Sequence, residues 1–262
     1  MIDLHSHILP GLDDGCETVE QAVEMSRIYA EEGFHTVVAT PHYLRGTSWC
    51  PDPRTISQGV DEINRALSAQ GIKLRIMAGM EIGMDPAIAE FLYEKNLLTL
   101  GASSYVLIEV PFQQLPLGWD QMLFDVISRE YQVILAHPER CEQLIREPGI
   151  FQKFLNIGCL MQIDWGSLLG HHGIKSARLT KKLLTNGYVH CLATDSHDIQ
   201  YRSPKMVKKG LEMLKKVIGE EKTHVLTNEN PARILDSKTL NLPHPEKPLR
   251  KRGRIKRLFS WG

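Results

Sequence analysis

Seven short apolar runs rich in β-branched residues recur along the chain, at residues 1–4, 36–40, 74–78, 105–110, 132–136, 159–163 and 188–193. Their length and bounding residues predict buried strands. Between them, apolar residues recur at helical spacing over 19–32, 55–70, 119–130, 173–186 and 203–218. Thr18 and Gln21 have the spacing of a capping box before the first of these helices, and Gly33, Gly71, Gly187 and Gly219 supply stops. Strand-then-helix order, repeated, argues for a parallel sheet. Seven such units predict an α/β fold, an incomplete TIM-like (β/α)7 barrel in a single domain. Asn230-Pro231 opens a last short helix, and Pro243, Pro245 and Pro248 mark an extended linker, so the domain is placed at 1–240 and a tail at 241–262.

Composition adds limits. With 262 residues and 42% hydrophobic content the chain can bury a sizeable core. Its first residues, Met1-Ile2-Asp3-Leu4-His5, do not read as a secretory signal, and no run approaches the roughly 18 apolar residues of a membrane span. Five cysteines without a CxxC pair fit a reducing compartment, and the expected location is the cytoplasm. Net charge is zero, but residues 243–262 hold seven Lys or Arg against one acid. The rest of the chain is therefore acidic, as it would be if several carboxylates served metals.

The chemistry-bearing residues gather where the predicted strands end. His5-Ser6-His7 and Asp13-Asp14-Gly15 follow the first, Pro41-His42 the second, Glu81 the third and Glu109 the fourth. His137-Pro138-Glu139-Arg140 follows the fifth, and Asp195-Ser196-His197 the last. A barrel brings all of these to one mouth. His-x-His on extended chain turns both imidazoles to one side, and the mixture with carboxylates suits Zn²⁺, Mn²⁺ or Fe²⁺. About nine titratable groups buried together would cost several kcal/mol each unless multivalent cations compensated them. His35 and His224 are isolated and read as ordinary polar residues. His171-His172, in a glycine-flanked loop, reads as solvent-exposed. Tyr43, Trp49, Phe112 and Trp165 follow strands and are candidates to pack against a substrate ring.

Taken in order, His5-x-His7, Thr40-Pro41-His42, Gly79-Met80-Glu81, Glu109, Ala136-His137-Pro138-Glu139-Arg140 and Thr194-Asp195-Ser196-His197 resemble the motifs of the PHP (polymerase and histidinol phosphatase) superfamily. The opening Met1 to Pro10, with Asp13-Asp14-Gly15, resembles its branch of bacterial capsule and exopolysaccharide tyrosine phosphatases. The likeness runs to about residue 235, and the basic tail ending in Phe259-Ser260-Trp261 fits it too. The resemblance implies a distorted PHP-type barrel and a manganese-dependent phosphatase with three metal ions, with Fe²⁺ or Zn²⁺ as other candidate occupants. It implies one ion on His5, His7, Glu81 and Asp195, a second on Glu81, Glu109 and His137, and a third on Asp14, His42 and His197. Arg140 and Arg202 would hold the phosphate. The implied substrate is a phosphotyrosine protein, and the implied partner a bacterial tyrosine autokinase.

Residue chemistry fits such a reaction. Paired metals activate water and clamp phosphoryl oxygens, and a guanidinium fork matches phosphate as Lys cannot. A phenolate, with pKa about 10, leaves with little acid help. His42 or a metal-associated water is the candidate donor for whatever help is needed. Thiolate chemistry is excluded, since no cysteine has an arginine six positions later. A small-molecule phosphatase acting on histidinol phosphate or a nucleotide, and a non-enzymatic scaffold docking a kinase, remain as alternatives. The tail is expected to touch an anionic membrane surface or a kinase, placing the protein at the inner face of the membrane. No nucleic-acid module accompanies its charge.

Overall fold

The computed structural model describes residues 1–240, Pro245 and Leu249, and the tail's expected membrane or kinase contact lies outside them. Each of the seven apolar runs forms a strand, and two very short strands join them. They are β1 Ile2–Ser6, β2 Thr36–Ala39, β3 His42–Tyr43, β4 Arg75–Ala78, β5 Glu81–Gly83, β6 Tyr105–Glu109, β7 Gln132–Ala136, β8 Leu160–Asp164 and β9 Cys191–Ala193. All pairings between them are parallel. One sheet has the order β1-β2-β4, the other β3-β5-β6-β7-β8-β9.

The two extra strands explain the distortion. β3 and β5 continue β2 and β4, but in the other sheet, so the second and third barrel strands are each broken in two. Pro41, which has no amide donor, stands at the first break. Gly79 stands at the second, where a Cβ would lie 2.7 Å from Val38 Cγ1 and 3.2 Å from Leu100 Cδ2. Across the breaks the Glu81 amide donates to the Pro41 carbonyl at 3.1 Å. At the far side, β1 meets the chain just beyond β9 through an isolated Ser6–Ser196 bridge, with the His7 amide donating to the Ser196 carbonyl at 2.9 Å. The barrel is thus incomplete, as the pattern predicts.

Helices cover the sheets where their caps place them. In Val19–Glu31 the Thr18 hydroxyl accepts from the Gln21 amide, while the Gln21 side chain reaches back to the Glu17 amide rather than to Thr18. The next helix, Pro53–Ala69, starts ahead of its predicted position because the Asp52 carboxylate accepts from the Arg54 and Thr55 amides and Pro53 suits a first helical turn. Strand faces are buried on both sides. On β6, Val106 and Ile108 join the large core under the helices, whereas Tyr105 and Leu107 join a smaller cluster with Leu4, Ile134, Leu160, Ile234 and Leu240. Leu249 is also buried, in the large core. Among the described residues no helix is long and apolar enough to cross a membrane.

Candidate metal centre

Several site residues are aimed by unusual backbone. His137 directly follows β7 and Asp195 lies two residues beyond the end of β9, with φ of 33° and 50°, left-handed values that cost a non-glycine residue on the order of 1–3 kcal/mol. These sharp turns direct both side chains into the mouth. Behind His7 the chain returns so closely that a Cβ on Gly15 would sit 2.0 Å from the His7 carbonyl oxygen. After His197, the Asp198 carboxylate accepts from the amides of Gln200, Tyr201 and Arg202, folding the loop so that Arg202 comes back to the site.

All nine expected ligands converge. Four of them, His5 Nε2, His7 Nε2, Glu81 Oε2 and Asp195 Oδ1, crowd one point: the two nitrogens are 3.1 Å apart, Glu81 is 3.2 and 3.3 Å from them, and Asp195 3.4 and 3.3 Å. The other Glu81 oxygen lies 2.8 Å from His137 Nε2, so this carboxylate faces two places at once. Glu109 groups with Glu81 and His42. Asp14 Oδ1 stands 3.2 Å from His197 Nε2 and 3.6 Å from His42 Nε2.

The protonation pattern decides what such crowding is for. His5 Nδ1 pairs with the Gln162 Oε1 acceptor at 2.9 Å, and His7 Nδ1 with an Asp13 carboxylate oxygen at 2.6 Å. Both acceptors suit a proton on the outer nitrogen, and loss of the second proton to a cation would leave both Nε2 lone pairs aimed at one point between two carboxylates. His197 is arranged alike, its Nδ1 donating to the Asp195 carbonyl at 2.9 Å. Buried His42 Nδ1, Glu81 Oε2 and His197 Nε2 lack a hydrogen-bond partner. Lone pairs facing one another fit divalent cations.

Two arginines close the same mouth. Arg140 Nη1 and Arg202 Nη2 donate to one oxygen, Asp195 Oδ2, at 2.8 and 2.7 Å. The Phe112 ring lies 4.6 Å beneath the Arg140 guanidinium and stacks on His137, while Trp49 stacks on His42 at 5.2 Å. Trp165 does not reach the rim: it is buried against Gly210, where a Cβ would come within 2.6 Å of its ring. Both His42 nitrogens face carboxylates, Nε2 toward Asp14 at 3.6 Å and Nδ1 toward Glu81 at 2.9 Å. His172 is not a free surface residue, because its Nε2 is bonded to the Asp164 carboxylate. Cavities of about 400 Å³, lined by Leu44, Met84, Glu109 and Phe112, and about 430 Å³, lined by Asp14, Gln21, His197 and Tyr201, flank the centre.

A family model described as capsular polysaccharide synthesis, CpsB/CapC, matches residues 1–236. The chain belongs to the CpsB/CapC family. Tyrosine-protein phosphatase YwqE of Bacillus subtilis is 31% identical over 96% of this chain and 98% of its own length. The putative tyrosine-protein phosphatase CapC of Staphylococcus aureus is 30% identical, with 79% and 81% covered. Among solved structures, one from a study of B. subtilis YwqE and Streptococcus pneumoniae CpsB, described as metal-dependent tyrosine phosphatases, superposes with TM-score 0.90 at 30% identity, covering 95% of this chain and all of the other. A Listeria monocytogenes lactonase, at TM-score 0.59 and 14% identity, shares the fold alone.

In this CpsB/CapC chain the charges hold one another. Burial opposes the charged form of His5, but Glu81 and Asp195 outweigh it and raise its pKa to about 9. Burial likewise opposes charge on Glu81 and Asp195, yet His5 and hydrogen bonds from neighbouring imidazoles hold both well below the usual carboxylate range. Glu109 is pushed up by burial and by the charge of Glu81. Burial pushes the Cys16 and Cys159 thiols up to about 12, away from the thiolate form.

Proposed function

We propose that this chain hydrolyses phosphotyrosine on proteins, with three divalent cations, Mn²⁺ in the native state, held at the barrel mouth. His5, His7, Glu81 and Asp195 would hold the first, Glu81, Glu109 and His137 the second, and Asp14, His42 and His197 the third. When bound, such ions lower the pKa of an attached water and neutralise phosphoryl oxygens. Arg140 and Arg202 would turn their donors from Asp195 to the phosphate, where a planar fork engages two oxygens at once. Phe112 and Trp49 offer ring faces at the rim, and the flanking cavities leave room for the polypeptide around the tyrosine. The partner is a bacterial tyrosine autokinase or its substrates in capsule or exopolysaccharide synthesis, reached at the inner membrane surface.

The observation that carries this reading is the crowding of imidazole nitrogens and carboxylate oxygens around one point directly below two guanidinium groups. The names of the YwqE and CapC relatives support the substrate class. Turnover of a phosphotyrosine peptide and of histidinol phosphate by the purified protein tests it. The peptide should be preferred, its turnover should vanish with a chelator and return with Mn²⁺, and it should survive Cys→Ser at each cysteine. Preference for histidinol phosphate would reassign the substrate. Chelator-resistant turnover that disappears in one serine variant would remove metal chemistry altogether.

A further inference from the structure

One buried acid beside the centre has no part in that scheme. Asp164 ends β8 and is 1% exposed. Its Oδ1 accepts from the Gly166 amide at 2.6 Å, and its own amide donates at 3.1 Å to Glu139 Oε1, on the residue before Arg140. Its Oδ2 is bonded to Nε2 of His172 and lies 3.8 Å from Arg140 Nη1. The approach of His172 needs Gly166, where a Cβ would be 3.0 Å from Nε2. The arginine therefore hangs between two carboxylates, one at bonding distance and one held back.

That difference of an ångström is chemically useful. Asp195 is among the proposed metal ligands, so its charge is committed when cations bind, and Asp164, with buried Glu139 behind it, is then left to balance the guanidinium. At full bonding distance Asp164 would occupy the donors that phosphate needs. Tethered by His172, it attracts the guanidinium without covering its fork. We propose that Asp164 and His172 are positioning residues for Arg140, with His172 restraining Asp164 so that the arginine is aimed at phosphate yet left free to bind it. The inference rests on the phosphate-clamp reading of Arg140.

The test is binding of inorganic phosphate to the Mn²⁺-loaded protein, measured by calorimetry, with kinetics on an aryl phosphate beside it. His172→Ala should weaken phosphate binding about tenfold, a change of roughly 1.4 kcal/mol, while His172→Gln, which keeps a donor, should recover most of it. In an Arg140→Lys background His172→Ala should add little, because the two act through one group. Asp164→Asn should behave as His172→Ala does. Unchanged phosphate binding in His172→Ala, or a loss that persists in full beside Arg140→Lys, overturns the proposal and leaves the clamp reading standing. If Arg140→Lys itself leaves phosphate binding unaltered, the clamp reading fails and takes this inference with it.

Discussion

Asp13 turns away from the ligand cluster, yet His7 depends on it. One Asp13 oxygen accepts from His7 Nδ1 and also from the His42 amide at 3.0 Å, and the other accepts from the Gly15 amide at 2.9 Å. This carboxylate fixes the tautomer that leaves His7 Nε2 free for a metal. Asp13→Asn should therefore lower metal affinity about 10- to 100-fold with the fold intact, measured by titration of the metal-free protein. Unchanged affinity would mean that His7 is oriented by its packing alone. The ligands themselves were legible because strand-end histidines and acids announce themselves by type and place. Their supports were not. Asp13 sits next to Asp14 and nothing in the doublet says which faces inward, whereas Gln162 is a polar residue inside an apolar run whose partner, His5, lies 157 positions away. His172 looked like loop surface because its acid is reached only through the turn after β8.

At the scale of elements, β9 carries a condition on pH. His190, just ahead of it, is buried, and its Nδ1 accepts from the Met161 amide of β8 at 2.8 Å, which requires an unprotonated nitrogen. Burial lowers its pKa from 6.5 to about 4. The unfolded chain takes up this proton near pH 6.5 and the folded one only near 4, so stability rises with pH across that window and falls as pH drops through it. The loss is on the order of 3 kcal/mol by pH 4 for this one group. His190→Gln, which keeps an acceptor, should flatten that part of the profile in urea melts, and an unaltered slope would assign the effect elsewhere. The longer helices are legible because caps and stops are local chemistry, as at Thr18 and Gly33, whereas shorter ones such as Ile88–Tyr93 and Ile150–Ile157 carry no side-chain cap and escape the pattern. β3 and β5 were missed because two or three residues cannot display a period, and Pro41 and Gly79 read as ends rather than crossings.

For the whole molecule, the boundary of the basic tail decides a practical experiment. Leu249 is 9% exposed and packed in the main core, so a cut before it would remove buried apolar surface worth roughly 1.5–3 kcal/mol. Deleting residues 250–262 instead should leave hydrolysis of a small aryl phosphate unchanged and weaken binding to anionic vesicles in a salt-dependent way. Equal vesicle binding by both forms would end the membrane reading of the tail. The broken second and third strands have a wider meaning. His5 comes from the three-stranded sheet and His7 directly follows it, while Glu81, Glu109 and His137 belong to or directly follow strands of the six-stranded one, so the donors stand on opposite banks of a seam crossed by the Ser6–Ser196 bridge and a few backbone hydrogen bonds rather than by a full strand ladder. Cations seated there would rivet one sheet to the other, so that the same ions that make the site reactive would also brace the fold where its strand ladder is thinnest.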